Sequence, residues 1–207
     1  SSINFAVGFL RKYHDSIDLE EFQKKVDKIE KQVNHMTYML DDVLLIGKSE
    51  AKKINCNPIK LKMHAYLDEI IQEIKISLNN SHKVKLTWTG DRDYVFLDEK
   101  LGKNIFTNLL TNAMKFSPKA KKINVYVDTT ADETIVIVKD FGIGIDPAEI
   151  NKIFEPFHRA ENVGAIAGTG LGLYIAKKAI DLHEGTIEVK SEIDKGTEFV
   201  VTIPYLG

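Results

Sequence analysis

The strongest folding signal in this chain is an unbroken heptad repeat of apolar residues near its start. From Phe22 onward, an apolar residue or glycine recurs in alternating steps of four and three residues. These positions are Phe22, Val26, Ile29, Val33, Met36, Leu40, Val43 and Gly47. The spacing is typical of a helix in a coiled coil or helical bundle. It predicts one long helix from about Leu19 to Ala51, and we call this set of positions the seam.

A shorter amphipathic pattern before the seam predicts a second helix and therefore a helical hairpin. Asp18 is the expected N-cap of the long helix, after a turn that starts near Asp15. At 1.5 Å per residue, the long helix would extend about 50 Å and the short one about 20 Å. The seam from Met36 to Gly47 would then have no partner in this chain. Either the short helix continues upstream of Ser1 in a longer parent protein, or the tip packs on the second domain or a crystal neighbour.

Beyond Asn55 the pattern changes to alternating helices and strands. Pro58 ends the long helix, and we expect a hairpin domain over 1–54 and a second domain over 55–207. The second domain is predicted as a sheet covered by helices on one face, which makes the fold class α+β. The expected elements are a helix near Leu67–Leu78, strands near Val84–Trp88 and Tyr94–Leu97, a helix over Asp98–Phe116, strands over Ile123–Asp128 and Thr134–Asp140, a helix over Gly170–Leu182, and a hairpin of Thr186–Lys190 with Thr197–Ile203.

Composition narrows the classes of function. The 207 residues include 28 Lys and Arg against 30 Asp and Glu, a balance that gives no reason to expect a nucleic-acid or membrane-surface partner. The single cysteine, Cys56, excludes an internal disulfide framework and a CxxC metal site. No apolar run approaches the ~18 residues of a membrane span, and we expect no signal peptide in this segment. We therefore expect a cytoplasmic segment, whether or not its parent protein is anchored in a membrane.

Three asparagines line one edge of the predicted helix over Asp98–Phe116. Asn104, Asn108 and Asn112 recur every four residues, and Lys115 follows on the next turn. Asparagine is a mediocre helix former because its amide competes for backbone hydrogen bonds. Three asparagines aligned beside an apolar face therefore indicate a functional role rather than a merely solvent-exposed polar face of the helix. Amide oxygens can ligate Mg²⁺ without adding charge, and a lysine can contact phosphate.

Two glycine-rich turns follow later in the chain. Asp140 ends a predicted strand and is followed by Gly142 and Gly144. A carboxylate at this place can accept a hydrogen bond from the exocyclic amine of a nucleotide base. The two glycines let the backbone approach such a flat base closely. The second turn, Gly168-Thr-Gly-Leu-Gly172, opens a predicted helix whose N–H groups and dipole suit a phosphate. Neither turn matches the dinucleotide or Walker A pattern.

The segment between these turns has little regular pattern, which predicts a mobile lid. From Ile153 to Gly168 its one fixed positive charge is Arg159, a candidate contact for a γ-phosphate. Phe154 and Phe157 are expected both to pack in the core and to border the site.

The four clusters, in this order and spacing, resemble the N, G1, F and G2 boxes of sensor histidine kinases, whose wider relatives are ATPases of the gyrase, Hsp90 and MutL type. The resemblance covers about Asn57–Gly207 and implies a two-layer α/β sandwich of the Bergerat type that binds ATP and Mg²⁺. The hairpin resembles the dimerisation and histidine-phosphotransfer domain of that family. By the same resemblance, the partners are a response-regulator receiver domain and, in the parent protein, a second copy joined through the hairpin.

The resemblance also implies a role for each site residue. Asn112 would ligate Mg²⁺ with Asn108 assisting, Lys115 would contact phosphate, and Asp140 would bind the adenine amine. The catalytic group would be Asn108, Lys115 and Arg159. The other residues expected around the nucleotide are Phe116, Gly142, Gly144, Ile145, Phe157, Gly168, Thr169, Gly170, Leu171 and Gly172.

Two departures bear on the reaction. The ATP-hydrolysing relatives carry a glutamate four residues before the metal asparagine, where this chain has Asn108; a neutral amide is no general base, which favours a kinase. The phosphoacceptor box of the family, His-Glu/Asp-x-x-Thr/Asn-Pro, is absent from the sequence. We therefore expect the chain to bind Mg-ATP without phosphorylating itself.

His183 is expected near a helix end, where a positive charge would suit the helix dipole.

Two other classes stay open. One is a Ser/Thr protein kinase of the same ATP-binding fold, of the anti-sigma-factor type, which generally lacks a long helical hairpin. The other is a non-catalytic dimerising scaffold with a vestigial nucleotide site, against which the presence of Asn112 and Asp140 argues.

Overall fold

The computed structural model describes residues 2–13, 17–50, 55–78, 82–90, 92–160, 166 and 168–205. The chain divides into two compact units, Ser1–Glu50 and Ala51–Gly207. The domain boundary expected at residue 54 falls within 51–54, outside the described residues. In the described part of the chain, no helix is both long and apolar enough to span a bilayer.

The first unit consists of two helices, α1 (Ser2–Tyr13) and α2 (Leu19–Glu50). Asp18 caps α2, since its Oδ1 accepts a hydrogen bond from the Glu21 N–H at 2.7 Å, as the capping pattern predicts. The two helices pack on each other, with Lys25 of α2 lying 4.3 Å from the ring centroid of Phe9 in α1. At 1.5 Å per residue, the 32 residues of α2 extend about 48 Å.

The far part of the α2 seam is exposed in this single chain. Val33, Met36 and Leu40 have 47%, 51% and 63% of their surface accessible to solvent. Apolar side chains at heptad spacing usually pack against a neighbouring helix, which removes them from water. Met36 and Leu40 belong to the part of the seam, Met36 to Gly47, that α1 was not expected to cover, and its lack of a partner in this chain stays a prediction.

The second unit is a two-layer sandwich of helices on a sheet, as predicted. Its elements are β1 (Ile59–Leu61), α3 (Met63–Ser77), β2 (Lys83–Gly90), β3 (Val95–Leu97), α4 (Glu99–Phe116), β4 (Lys122–Thr129), β5 (Glu133–Asp140), α5 (Gly172–Leu182), β6 (Thr186–Glu192) and β7 (Gly196–Pro204). The main sheet has the order β2-β4-β5-β7-β6. Only the β2–β4 pair is parallel. The short β1, which the sequence did not predict, pairs with β3.

The core of this unit lies between α4 and the sheet. Ile105, Phe106 and Leu109 of α4 have no exposed surface. Along β5, buried and half-buried residues alternate strictly, and Asp140 falls on the buried set. Because side chains of a strand alternate between the two faces, this carboxylate points to the helical layer and not to the open face of the sheet.

Candidate functional site

Asp140 is a buried carboxylate at the end of β5. Only 4% of the surface of Asp140 is exposed to solvent. Its Oδ1 accepts hydrogen bonds from the N–H groups of Gly142 at 2.8 Å and Thr197 at 3.2 Å. Burial raises the pKa of Asp140, while the two backbone N–H groups partly oppose that rise. Because both N–H groups bind Oδ1, Oδ2 is the oxygen left for a ligand.

The glycine after Asp140 lets the loop lie against the end of α4. A Cβ at Gly142 would overlap the carbonyl oxygen of Phe116. That same oxygen accepts a hydrogen bond from the Ile143 N–H at 3.0 Å. Only glycine permits this close approach, so the spacing that the sequence suggested has a direct structural cause.

The rest of this loop is held by the β6–β7 hairpin, which was predicted from the sequence but not as part of the site. Gly144 has φ +69°, and a Cβ there would overlap the Glu192 carbonyl oxygen. The Ile145 N–H donates to Ser191 Oγ at 2.8 Å. Ser191 and Thr197 reach the site only through strand pairing, and no local motif signals them.

The asparagine row runs along a half-buried edge of α4, as predicted. Asn104, Asn108, Asn112 and Lys115 are all partly exposed. Asn108 Nδ2 donates to the backbone oxygen of Asn104 at 2.8 Å. On its other side, Asn108 Oδ1 lies against Gly172, since a Cβ there would be 2.5 Å from that oxygen. The amide of Asn108 is therefore oriented by α4 itself and by the start of α5.

Lys115 is a half-buried cation near the end of α4. Desolvation lowers the pKa of its ammonium group, and the described residues place no carboxylate within ion-pair distance of it. An anion bound along the asparagine row would supply the missing counter-charge. This arrangement supports the predicted phosphate contact.

The start of α5 leaves backbone donors available. Leu171, at the N-cap position, provides no side-chain cap, and the first turn contains no acidic residue. The Leu171 side chain is buried, and its N–H donates to Thr169 Oγ1 at 3.2 Å. The uncapped N–H groups of a helix start attract anions. Gly168 lies just before this turn in open space.

Phe154 and Phe157 take different positions. Phe154 packs against the core, as expected. The expected core packing of Phe157 is wrong, because its backbone has φ +64° and its side chain is 68% exposed. A Cβ at Gly170 would lie 2.6 Å from the carbonyl carbon of Phe157. The backbone at Phe157, inside the predicted lid, therefore meets the backbone at Gly170, just after it.

Arg159 and His158 follow Phe157. Arg159 is exposed, and its Nη2 donates to the carbonyl oxygen of Ile166; its contact with a γ-phosphate stays a prediction. His158 Nε2 lies 2.7 Å from Glu149 Oε2. Lys152 and His158 together hold the pKa of Glu149 below its ordinary value. The predicted lid also includes 161–165 and 167, which lie outside the described residues.

One pair of glycines offers a direct test of the site. We expect Gly172→Ala to weaken the binding of magnesium adenosine nucleotides about tenfold, since displaced supporting groups around a metal site typically cost that much or more. The new methyl group would displace Asn108 Oδ1, whereas Gly8→Ala, in α1, adds a methyl group where no atom lies within 4 Å. Isothermal titration calorimetry on both variants measures the effect. Equal affinities of the two variants would contradict the role given to the Asn108–Gly172 contact.

The comparison with protein families covers most of this unit. The profile described as histidine kinase-, DNA gyrase B- and HSP90-like ATPase matches residues 97–207, which is more than half of the chain. The chain belongs to this family. The match begins one residue before Asp98, the N-cap of α4, and so includes all the site residues that the sequence predicted. All the residues predicted for the site therefore lie within the part of the chain that matches this family.

Individual relatives extend the similarity to the helical hairpin. The chain is 26% identical to the sensor protein SrrB of Staphylococcus aureus over 96% of its length. It is 29% identical to the autoinducer 2 sensor kinase/phosphatase LuxQ of Vibrio parahaemolyticus over 98% of its length. It covers only 35% of the first relative and 25% of the second. In fold, it is similar to the histidine kinase AdeS of Acinetobacter baumannii, with a TM-score of 0.74, 20% identity, and coverage of 100% of this chain and 96% of the other.

Proposed function

We propose that this chain is the ATP-binding catalytic core of a sensor histidine kinase. It would transfer the γ-phosphoryl group of Mg-ATP to a histidine outside residues 1–207, for relay to an aspartate of a response-regulator receiver domain. The observation that carries this proposal is the composition of α4. Its exposed edge offers amides and a lysine, and it contains no carboxylate after Glu99.

Asp140 would recognise the adenine end of the nucleotide. Its Oδ2 can accept a hydrogen bond from the exocyclic amine, while Oδ1 is held by Gly142 and Thr197. A buried charged acceptor of this kind discriminates strongly against a base that lacks the matching donor. The close packing at Gly142 allows a flat base to approach the backbone.

Asn108, Asn112 and Lys115 would hold the magnesium triphosphate. Mg²⁺ prefers oxygen ligands and keeps several waters, so a few neutral amide oxygens together with phosphate oxygens suit it. When bound, Mg²⁺ neutralises part of the phosphate charge. Lys115 and the uncapped N-terminus of α5 would add positive potential on the protein side.

The transfer itself needs positioning more than covalent chemistry from the protein. A neutral histidine nitrogen attacks the γ-phosphorus, the bond to the β–γ bridging oxygen breaks, and ADP leaves. Asn108, held by Asn104 and Gly172, cannot deprotonate a water molecule. Bound ATP would therefore hydrolyse slowly and remain available to the histidine.

The histidines of the described residues are poor phosphoacceptors. His82 and His183 are buried, and His158 is paired with Glu149. His64 is exposed on α3, 3.4 Å from Asp68, without the residue context of a phosphoacceptor box. The position of His14 and the side chain of His35 lie outside the described residues.

The hairpin would serve as the dimerisation domain of the parent protein. The exposed seam residues Val33, Met36 and Leu40 support this role, because heptad-spaced apolar side chains pack against another helix. In the hairpin of a kinase dimer, that helix would come from the upstream extension of α1 and from the second copy. SrrB and LuxQ, which are sensor proteins by name, match across the hairpin as well.

Labelled ATP separates this proposal from its alternatives. Residues 1–207 are expected to bind Mg-ATP in calorimetry, to release phosphate slowly, and to retain no label on the protein. The same chain extended upstream of Ser1 is expected to acquire label that acid removes and alkali does not. Fast phosphate release would indicate an ATPase, acid-stable label would indicate a Ser/Thr kinase, and no binding would indicate a scaffold; each of these results would refute the proposal.

A further inference from the structure

We propose that two buried histidines, His183 and His82, are positioning residues that hold the two ends of α4 and thereby set the phosphate side of the site. The inference rests on the proposed nucleotide-binding function. His183 is 1% exposed and His82 is 5% exposed. Neither belongs to one of the four sequence clusters, and they reach α4 from the end of α5 and the start of β2.

His183 holds the N-terminal end of α4. Its Nε2 accepts a hydrogen bond from the Asp98 backbone N–H at 2.9 Å, and its Nδ1 lies 2.8 Å from the Ala179 carbonyl oxygen. A carbonyl oxygen can only accept, so Nδ1 carries the proton and the ring is neutral. The expected positive charge near the helix end is therefore wrong for His183, because its second nitrogen is needed as an acceptor.

His82 holds the C-terminal end of α4 in the opposite sense. Its Nε2 lies 2.9 Å from the carbonyl oxygen of Ser117, the residue that caps α4. Because that oxygen accepts, Nε2 of His82 is the donor. The Ser117 hydroxyl donates to the Ala113 carbonyl oxygen at 2.6 Å. One histidine thus accepts from the start of the helix and the other donates to its end, where the last carbonyl groups have no partner within the helix.

The position of α4 affects phosphate binding in particular, because the residues proposed to contact phosphate and the residue proposed to contact adenine lie on different elements. Asn108, Asn112 and Lys115 are on α4, whereas Asp140 is on β5. A small displacement of α4 would move the phosphate ligands directly, whereas Asp140 stands on β5 and is also held by the Thr197 N–H of β7. Misplacing positioned groups by about 1 Å can cost about 100-fold in function. Loss of either histidine should therefore weaken phosphate recognition selectively.

The N-terminal end of α4 has other supports, so the variants should still fold. Asp98 Oδ1 accepts from the N–H groups of Lys100 and Leu101 at 3.1 and 3.0 Å. Tyr66 of α3 donates from its hydroxyl to the Glu99 carbonyl oxygen at 2.6 Å. These bonds maintain the helix itself, while the histidines tie it to α5 and β2.

The test compares Mg-ADP with adenosine, which lacks phosphate. His183→Leu and His82→Leu, titrated by calorimetry or NMR, are each expected to lower the affinity for Mg-ADP about tenfold and to change the adenosine affinity less than twofold. Glutamine can place an amide oxygen or N–H near the position of Nε2, so His183→Gln and His82→Gln should recover most of the Mg-ADP affinity.

Two variants serve as matched controls. His64→Gln makes the same exchange at an exposed site on α3, and Val201→Ala truncates a core side chain on β7. Val201→Ala should lower stability without changing the ratio of the two affinities.

Equal losses for Mg-ADP and adenosine, or no loss at all, would overturn the inference and leave the nucleotide site in place. A wild-type chain that binds neither ligand would instead refute the proposed function, and the inference with it. The ¹⁵N signals of the wild-type imidazole rings give a second measurement that needs no variant. They should show an unprotonated Nε2 for His183 and a protonated Nε2 for His82; the reverse pattern would contradict the hydrogen bonds on which the inference depends.

Discussion

Asp140→Asn is expected to lower the affinity for ATP about 30- to 150-fold and to leave the fold at least as stable as the wild type at pH 7. The exchange keeps the shape of the side chain and an Oδ1 that accepts from Gly142 and Thr197. It replaces Oδ2 by an NH₂ group, which would face the donor amine of adenine. Loss of a hydrogen bond to a charged group costs about 2 to 3 kcal/mol, which corresponds to that range of affinity.

The stability part of this prediction follows from the raised pKa of Asp140. A carboxyl group whose pKa is higher in the folded protein binds its proton more tightly there than in the unfolded chain. Its contribution to the free energy of unfolding is most favourable below the ordinary pKa and is lost as the pH rises through the raised pKa. At pH 7, which lies above the ordinary pKa, the carboxyl group of Asp140 therefore costs stability, and the neutral amide removes that cost.

Calorimetric titration with ATP and thermal unfolding at several pH values test both parts. The stability advantage of Asp140→Asn should shrink as the pH falls through the raised pKa of the wild-type carboxyl group. Asp128→Asn makes the same exchange on β4, away from Gly142 and Thr197, and should change neither quantity. Undiminished ATP binding by Asp140→Asn would contradict the assignment of the adenine contact.

Asn112→Ala is expected to abolish the magnesium-dependent part of the stabilisation that nucleotide gives to the wild type. A ligand at 100 times its Kd stabilises the folded state by about 2.7 kcal/mol, which is about 5 to 10 °C for a chain of this size. The variant loses an amide oxygen proposed to ligate Mg²⁺, so the magnesium-dependent part of that shift should disappear. Thermal unfolding with nucleotide, in the presence of Mg²⁺ or of a chelator, measures it.

Asn104→Ala is the matched control for this experiment. Asn104 belongs to the same row one turn before Asn108, and its backbone oxygen, which the substitution keeps, accepts the bond from Asn108. The control should retain the full magnesium-dependent shift. If Asn112→Ala behaves as Asn104→Ala does, the metal is held elsewhere and the proposed roles on α4 are wrong.

Local periodicity explains which parts of the fold were predictable. Strands β4 to β7 and helices α2 and α4 were expected within a few residues of their observed bounds. Apolar residues recur at helical spacing in the two helices, and the strands carry short β-branched runs or alternations between turn residues. The three-residue β1 has no such period and was missed. Phe157 was misjudged because its aromatic character suggested burial, whereas a left-handed backbone turns it toward solvent.

What the sequence alone determined is the chemistry of the site. The amides at four-residue spacing, the carboxylate at a strand end and the glycine-rich turns follow from residue type and short-range spacing. Tertiary structure alone decided how these groups are held. The Thr197 N–H reaches Asp140 across 57 positions of the chain, and His183 reaches Asp98 across 85. Contacts of this kind depend on strand pairing and helix packing, in which distant residues meet because burial of the whole core favours one arrangement, and no local period in the sequence encodes which residues those are.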